Sequence, residues 1–455
     1  MALPRDFFFS ISFATFALKD CKTMTPNLQQ QIIALIKREV VPAVGCTEPI
    51  AVALCAAVAA ETLGGRPTQY PERVEVRLSA NILKNAMGVG IPGTGMIGLP
   101  IAIALGTLVG DPARELELLG GVTPDQVAEA KRFLAEKQVN ISLAEGSVPK
   151  LYIEIEMWRG DESARAVIAG THSSVVLVER NGELLKGGAT AAENAETAEA
   201  DVELSLRKVY DFAMETPLSE LEFIMEAARL NMAAAETSFN GNYGHGLGVM
   251  LRGGGCGKML GDTLFSRILA YTSAACDARM SGALVPVMSN SGSGNQGIAA
   301  TVPVVVYARE CGVSHEALVR ALALSHLTVI YIKQGLGRLS ALCGCVVAAT
   351  GSSCGITSLM GGGYDEVAIA VKNMVANLTG MICDGAKPSC SLKLSSGVST
   401  AVLSAMMAME HRCTTSAEGI VDENVDRTIR NLTDIGRDAM GETDKMILEI
   451  MTNKC

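Results

Sequence analysis

The sequence is poor in the residues that mark the commonest binding surfaces and metal sites. Aromatic residues make up only 4% of its 455 residues, and charged residues only 19%. The formal net charge is −10, and no basic cluster with interleaved aromatic residues occurs, so nucleic acid is not an expected partner. There are five histidines and no HExxH pair, which excludes the usual signature of a zinc protease.

The sequence also lacks the uninterrupted apolar run of about 20 residues that a membrane span needs. Segment 7–18, FFFSISFATFAL, is too short, and no small-residue cleavage site follows it. We interpret residues 1–23 as an extension upstream of a protein that starts at Met24. Three longer uncharged stretches are interrupted by Gly, Pro, Ser or Asn, and we expect them to be buried: 85–110, 282–307 and 339–364.

Cysteine, by contrast, is present 13 times, and no two cysteines have CxxC spacing. Their number is odd and their spacing irregular, unlike the dense pattern of a small secreted scaffold. The acidic composition and the unpaired cysteines are typical of a reducing compartment, so we expect a cytoplasmic protein. In that compartment clustered cysteines are more often metal ligands or catalytic groups than disulfides.

The periodicity of apolar residues divides the chain into two kinds of region. The first helices and almost everything after about residue 200 have helical spacing. Between them, segments such as RVEVRLSAN alternate with a period of two, which predicts strands, and RNGE (180–183) predicts a hairpin turn. We therefore predict an α+β fold. A mainly helical catalytic domain comprises 24–66 and 200–455, and a mixed α/β domain is inserted at 67–199.

Two glycine-rich segments are candidates for a close approach of the backbone to a ligand. GVGIPGTGMIG (88–98) lacks the GK[ST] of a Walker loop and the strand and acidic residue of a dinucleotide site, so it predicts a buried loop. SNSGSGNQG (289–297) has strongly apolar flanks. Successive N–H groups in such a run can form an anion-binding nest, which would suit a carboxylate substrate.

Isolated polar residues give weaker signals. Asp277 and Arg279 stand between small residues, where they either pair with each other or leave Arg279 to bind a carboxylate. His172, His245 and His326 each stand alone. A lone histidine is more often a hydrogen-bonded core residue than a ligand, so none of the three is selected as a site residue.

The cysteines of the LSALCGC and GMICDGAKPSC segments raise the question of a metal site. Cys343, Cys383 and Cys390 would supply thiolates from two separate loops, with Cys345 and Cys354 as alternatives. The spacing of these residues is neither that of a zinc ribbon nor that of a four-cysteine ferredoxin. From spacing alone, an iron–sulfur site and buried free thiols both remain open.

Several long motifs resemble the L-cysteine desulfidase family, which is related to the alpha chain of iron–sulfur L-serine dehydratases. The resemblance runs from about residue 27 to the end. The segments that carry it are PAVGCTEPIAVAL (42–54), NILKNAMGVGIPGTGMIGLPIA (81–102), TSAACDARMSGALVPVMSNSGSGNQGI (272–298), LSHL (324–327), LSALC (339–343) and GMICDGAKPSC (380–390).

The resemblance implies a [4Fe–4S] cluster held by three thiolates: Cys343, Cys383 and Cys390. Three thiolates leave one iron open to act as a Lewis acid. Cys46 and Glu48 are the implied catalytic residues, with Cys46 as a base or as a fourth, displaceable ligand. We further predict that the carboxylate and ammonium of the substrate contact these residues: Lys84, Asn85, Arg279, Ser291, Ser293 and Asn295.

The implied reaction is the α,β-elimination of L-cysteine to sulfide, pyruvate and ammonia, without a pyridoxal cofactor. Three alternatives stay open: dehydration of L-serine or L-threonine on the same cluster, a non-catalytic iron–sulfur sensor, and a binding protein with structural thiols. The expected partners are a small amino-acid substrate and, by resemblance, a second copy in a homodimer. Neither nucleic acid nor a membrane is expected.

Overall fold

The computed structural model describes residues 24–64, 69–187, 202–253, 259–337 and 340–453. The predicted extension at 1–23 and both predicted domain boundaries, at 66/67 and 199/200, lie outside these ranges. They therefore stay predictions.

Strands are concentrated in the first half of the chain. Their bounds are β1 Pro42–Val44, β2 Arg73–Leu78, β3 Gln138–Leu143, β4 Tyr152–Arg159, β5 Glu162–Ala169, β6 Val175–Arg180, β7 Glu183–Gly187 and β8 Pro286–Met288. Six of them form one sheet in the order β3-β2-β4-β5-β6-β7. Strands β2 and β3 are parallel, and the other neighbours are antiparallel.

Helices make up most of the described residues. Their bounds are α1 Pro26–Glu39, α2 Thr47–Leu63, α3 Ala80–Ala86, α4 Leu99–Val109, α5 Pro124–Glu136, α6 Leu206–Glu215, α7 Leu218–Leu221, α8 Met225–Phe239, α9 Leu247–Arg252, α10 Leu264–Met280, α11 Gly294–Cys311, α12 His315–Leu336, α13 Gly344–Leu359, α14 Tyr364–Leu378, α15 Cys390–Met409, α16 Val425–Asp434 and α17 Gly441–Thr452. With the mixed sheet, they confirm the predicted α+β class.

Local sequence explains the sheet and its turns. The alternation of β4 buries Ile153, Ile155 and Met157 on one face. On the other face, Glu154 pairs with two arginines, one of them Arg165 at 3.1 Å. The predicted RNGE hairpin joins β6 to β7, with positive φ angles at the two central residues of the turn, as a primed turn requires.

The buried side chains form two cores. One contains α1 and the helices between residues 204 and 434, and the other surrounds the sheet with α2 and α4 and includes Leu448 of α17. The predicted helical domain includes 24–66, and within it the side chains from Ile50 to Leu63 pack in the core of the sheet. Helices α2 and α4 approach closely because residue 106 is glycine: a Cβ there would lie 2.2 Å from the carbonyl oxygen of Ala53.

Two small pairings bring distant segments together. Strands β1 and β8 are antiparallel, so the chain before Cys46 lies beside the loop that follows Met288. A single antiparallel bridge joins Leu342 to Ile382, which sets the two cysteine segments side by side. The loop 88–98 contacts the end of α10, where the N–H of Gly90 donates to the carbonyl of Met280 at 2.9 Å. It is only partly buried, because Gly93, Gly95 and Ile97 are exposed.

One described helix, α15, is long and apolar enough to cross a membrane by length and composition alone. Half of its apolar window is buried inside the protein. Since a core helix passes the same test, this helix is weak evidence for a membrane span.

Candidate active site

Ten of the eleven predicted site residues line one cavity between the two cores, with a volume of about 100 Å³. They are Cys46, Glu48, Asn85, Arg279, Ser291, Ser293, Asn295, Cys343, Cys383 and Cys390. Five further lining residues with polar or sulfur-containing side chains were not selected from the sequence: His172, Gln296, Lys333, Ser340 and Cys345. The size of the cavity fits a small metabolite rather than a nucleotide.

Four helices begin at this cavity. Their N-cap residues are Cys46 for α2, Ser293 for α11, Cys343 for α13 and Ser389 for α15, and in these four described helices no N-cap side chain accepts a hydrogen bond from the first turn. The first N–H groups of a helix lack internal partners, and the helix dipole makes this end positive. Four such ends around one cavity favour an anionic ligand.

Cys46 and Glu48 form a hydrogen-bonded pair. The Cys46 thiol donates to Oε2 of Glu48 at 3.0 Å, and the Thr47 hydroxyl donates to the same oxygen at 3.2 Å. The Asn85 amide donates to Oε1 at 3.3 Å. Glu48 is therefore a buried carboxylate held by three neutral donors.

The surroundings of Cys46 keep its thiol protonated. Burial raises the pKa of Cys46 far above its usual range, and the negative charge of Glu48 raises it further. The positive charge of Arg279 opposes both effects but does not outweigh them. Cys46 is thus a hydrogen-bond donor to Glu48 rather than a thiolate in this environment.

Arg279 is a buried guanidinium at the cavity wall, only 2% exposed. Its Nη1 donates to Oδ1 of Asn295 at 3.1 Å, and its Nε has no hydrogen-bond partner among the described residues. Asp277 does not pair with it, since Asp277 instead accepts from the N–H of Gly248 at 3.2 Å. A buried charge without a counter-ion is costly, so this guanidinium is suited to a carboxylate ligand.

Gln296 supplies a hydrogen-bond acceptor at the cavity wall. Its side chain is buried, and its Oε1 accepts no hydrogen bond within the described part of the chain. Gly344 allows the two chain segments to approach, since a Cβ there would lie 3.0 Å from Cδ of Gln296. The cavity therefore offers an unused donor on Arg279 and an unused acceptor on Gln296.

The loop before α11, which was predicted to form an anion nest, already uses two of its N–H groups within the protein. Ser291 has φ +48°, and its N–H donates to the carbonyl of Glu39 at 3.0 Å. The N–H of Ser293 donates to the carbonyl of Asn290 at 3.0 Å. Because these two N–H groups are already used, the donors that remain for an anion are the N–H of Gly292, those of the first turn of α11 and the side chains.

A buried histidine holds this loop. The Thr301 hydroxyl donates to the carbonyl of Gly297 at 2.6 Å, so it accepts from Nε2 of His326 at 3.0 Å. Nδ1 of His326 then accepts from the amide of Asn290 at 3.1 Å, and Oδ1 of Asn290 accepts from the Ser291 hydroxyl at 2.9 Å. His326 thus fixes Asn290, and through it the orientation of Ser291.

We expect His326 to make stability depend on pH. Burial lowers the pKa of His326 from 6.5 to about 3, so the folded state stays neutral while the unfolded state gains a proton below pH 6.5. Stability should therefore fall as the pH drops from 6.5 towards 3, by up to about 1.4 kcal/mol per pH unit. The check is the thermal unfolding midpoint between pH 7 and 5. His326→Gln should flatten this dependence, whereas His315→Gln, at an exposed site, should not. An unchanged slope in His326→Gln would contradict the assignment.

The cysteine wall is built from the two bridged segments. The N–H of Cys343 donates to Met381 at 3.0 Å, and the N–H of Cys383 donates to Ala341 at 2.6 Å. A hydrogen bond from the Cys345 thiol lowers the pKa of Cys343 to about 7. All of these cysteines are free thiols.

These thiols suit a multinuclear cofactor better than a single ion. Among the described residues, no three His, Cys, Asp or Glu side chains lie close enough to hold one metal ion. In a [4Fe–4S] cluster each thiolate binds a different iron, so the sulfur atoms need not converge on one point. Free thiols of two loops around one cavity therefore fit such a cluster, with soft ligands that iron–sulfur chemistry requires.

Lys84 does not line the cavity. Its side chain is 2% exposed, and its Nζ donates to the carbonyl of Cys383 at 3.3 Å and pairs with Asp444. This position favours holding the cysteine loop over contacting a substrate.

His172, like Cys345, is a cavity residue that was considered from the sequence but not selected as a site residue. It is 7% exposed and lies between β5 and β6, so it reaches the cavity from the side of the sheet. Its motif, GTHSS, gave no signal because nothing local indicates that this turn faces α2 and α11.

Comparisons with known proteins show the family of the chain. The sequence profile of the family described as serine dehydratase alpha chain matches residues 113–449. A UPF0597 protein of Bacteroides thetaiotaomicron is 65% identical over 431 residues, covering 95% of this chain and 99% of the relative. UPF0597 proteins of Porphyromonas gingivalis and Chromobacterium violaceum are 58% and 46% identical, covering 95% and 94% of this chain and 100% and 98% of those relatives.

The chain therefore belongs to the serine dehydratase alpha chain family, whose members are enzymes of the dehydratase and lyase type and generally depend on an iron–sulfur cluster. Within that class it is a member of the UPF0597 family. The matched names include serine dehydratase and not cysteine desulfidase, so the predicted relationship is shown for the broader family only.

Proposed function

We propose that the protein is an iron–sulfur-dependent lyase that degrades L-cysteine to sulfide, pyruvate and ammonia. The observation that carries the proposal is the pair of unused groups in a cavity walled by thiols. The buried Nε of Arg279 suits the α-carboxylate of an amino acid, and Oε1 of Gln296 suits its ammonium. Buried polar groups are nearly always hydrogen-bonded in folded proteins, so both are expected to gain partners from a ligand.

The residues of the chain then have distinct tasks. Arg279 and the first turn of α11 bind the carboxylate, and Gln296 and Glu48 bind the ammonium. The proton on Cα passes to the Cys46 sulfur as the thiol proton of Cys46 passes to Glu48. The Cα–H and Cβ–S bonds break, sulfide leaves with the C–S electron pair, and 2-aminoacrylate remains. Its tautomer, an imine, reacts with water to give pyruvate and ammonium.

Cys343, Cys383 and Cys390 would hold the [4Fe–4S] cluster. When bound, the cluster supplies a Lewis-acidic iron that polarises the substrate without a pyridoxal cofactor. The burial of Cys46 and Arg279 excludes water from the reacting end of the cavity, which strengthens the charge interactions made there.

The proposal is tested with protein reconstituted anaerobically with iron and sulfide and then freed of excess sulfide. We expect a brown protein that releases sulfide and pyruvate in equal amounts from L-cysteine. A colourless protein would overturn the proposed cofactor. Turnover of L-serine without turnover of L-cysteine would overturn the proposed substrate, and a brown protein that turns over neither would favour a sensor.

Replacing Cys46 separates catalysis from cofactor binding. We expect Cys46→Ser to keep the visible absorbance and the iron content of the parent and to lose at least about 100-fold in kcat with L-cysteine, because a serine hydroxyl gives up its proton to a carboxylate far less readily than a thiol does. Cys55→Ser, in the core of the sheet, is the control for thiol loss outside the cavity. Full activity in Cys46→Ser would contradict the proton relay.

The second candidate is an L-serine or L-threonine dehydratase on the same cluster, and His172 is the observation that favours it. Hydroxide is a poorer leaving group than sulfide and needs an acid, which an imidazole at the cavity wall can supply. If the protein acts on both substrates, His172→Gln should lower kcat/KM for L-serine more than for L-cysteine. Equal losses would assign His172 a role common to both.

We propose further that the protein works in the cytoplasm on a free amino acid and as a homodimer. Size-exclusion chromatography with light scattering tests the dimer, for which a monomeric mass at micromolar concentration is the opposing result.

A further inference from the structure

The loop that carries Cys383 has an unusual set of hydrogen-bond partners. Four consecutive carbonyl groups of this loop, from residue 382 to residue 385, each accept from a lysine ammonium. The bonds run from Lys393 to Ile382 (2.8 Å), from Lys84 to Cys383 (3.3 Å), and from Lys387 to Asp384 (2.8 Å) and Gly385 (3.1 Å). The loop carbonyls are thereby held by side chains instead of by a helix or strand.

Each of the three lysines is itself fixed by a carboxylate. Asp384, inside the loop, pairs with Lys387 at 2.5 Å and also with Lys393. Lys84 pairs with Asp444 at the start of α17. Three ammonium and two carboxylate groups leave one net positive charge (3 − 2 = 1) beside the cysteines, which offsets the negative charge that thiolate ligands bring.

The backbone leaves this loop little room to take another shape. Gly385 has φ +87°, and a Cβ there would lie 2.2 Å from the carbonyl oxygen of Lys84. Cε of Met451 would lie 3.4 Å from the same Cβ. The loop therefore contacts both α3 and α17. The Lys84 ammonium connects them, since it bonds to the carbonyl of Cys383 and pairs with Asp444.

We propose that Lys84, Lys387 and Lys393 form a carbonyl clamp that holds the Cys383 loop in its ligand-binding shape before the cofactor arrives. They are positioning residues, which act through the backbone of Cys383 and not on the substrate. A preformed ligand loop does not have to lose conformational freedom when the cofactor binds, so the clamp strengthens cofactor retention. The identity of the cofactor rests on the proposed function, but the clamp itself does not.

Hydrogen exchange of the cofactor-free protein tests the clamp directly. We expect peptides that cover 380–390 to exchange at least about 10-fold faster in Lys393→Met and Lys387→Met than in the parent. Lys372→Met is the matched control, because Lys372 also donates to a backbone carbonyl, that of Glu423 at 2.5 Å, at an exposed site. Exchange in 380–390 that matches this control would overturn the proposal.

Cofactor retention is the second measurement. After reconstitution, the rate at which a chelator removes iron should rise about 10-fold in Lys393→Met and in Asp444→Asn. The unfolding midpoint should change little in Lys393→Met, whose side chain is partly exposed. Asp444→Asn removes the carboxylate that pairs with the Lys84 ammonium, and it therefore tests the contribution of Lys84 to the clamp. Unchanged iron loss in both variants, from a parent that holds iron, would overturn the clamp.

The two proposals fail in different ways. If the parent takes up no iron, the proposed function fails, while faster exchange in the lysine variants would still support the clamp. If the parent takes up iron and the variants match it in exchange and in iron loss, the clamp fails and the proposed function stands.

Discussion

Cys383→Ser should yield a colourless protein without lyase activity. The side chain of Cys383 is one of three thiols assigned to the cluster, and a serine oxygen is a poor ligand for iron in a sulfur environment. We expect the iron content after reconstitution to fall from about four atoms per chain to near zero. Activity with L-cysteine should fall with it. Iron analysis, the visible absorption spectrum and sulfide release measure these effects.

Cys345→Ser is the matched control for this prediction. Cys345 lines the same cavity and is hydrogen-bonded to Cys343, yet it is not assigned as a ligand. We expect it to keep the parent's iron content. If Cys345→Ser lost as much iron as Cys383→Ser, Cys345 would be a fourth thiolate ligand, and no iron of the cluster would be left open. If Cys383→Ser kept its full iron content, the assignment of Cys383 to the cluster would be wrong.

Arg279→Met should have the second large effect, on substrate binding. A buried guanidinium that binds a carboxylate loses about 4 kcal/mol of interaction when it is replaced by an uncharged side chain. This energy corresponds to a decrease of about 1,000-fold in kcat/KM for L-cysteine. Methionine fills most of the space, and the loss of an unpaired buried charge should not destabilise the fold.

The methyl ester of L-cysteine, which lacks the carboxylate charge, tests whether Arg279 binds that carboxylate. The parent should strongly prefer L-cysteine over its methyl ester, whereas Arg279→Met should treat the two nearly alike. Arg309→Met, at a surface arginine that lies over the ring of Tyr271, is the control and should retain the preference. A preference that survives in Arg279→Met would assign carboxylate binding to another group, and Lys333 in the cavity wall would be tested next.

The elements that could be predicted from sequence are those with a strong local pattern. The strands of the sheet, the hairpin turn at 180–183 and the α5 helix with its Thr123 cap all have a period or a turn residue that identifies them. The cavity residues were found through motifs, because no local pattern indicates that Cys46, Arg279 and Cys343 meet.

Helices in the cysteine region could not be predicted, because tertiary packing overrides their propensity. The segment of α13 is rich in Gly and Ser, and Gly351 packs so closely that a Cβ there would lie 2.4 Å from the carbonyl of Ser325. Helix α15 begins at Cys390, the last residue of the GMICDGAKPSC segment. This start matters for function, since it places Cys390 in a first helical turn.

The remaining differences between the predictions and the structure concern residues whose contacts lie far away in the chain. Lys84 was expected to contact the substrate, but its acceptor at Cys383 and its counter-ion Asp444 lie 299 and 360 residues away. Strands β1 and β8 have three residues each, too few to give a period. His172 reaches the cavity only because the sheet packs on α2.

The residues that line the cavity come from distant parts of the chain, so the cavity is complete only when nearly the whole chain has been made. Cys46 lies near the start of the chain and Cys390 near its end, and Asp444, which anchors the Cys383 loop through Lys84, lies in the last helix. A nascent chain on the ribosome therefore has no complete site to offer. Under the proposed function, the cluster would therefore be held only after residue 444 has been made and the helix that carries it has docked. Cys383 is the least buried of the three assigned ligands, so the proposed cluster would be most accessible on its side.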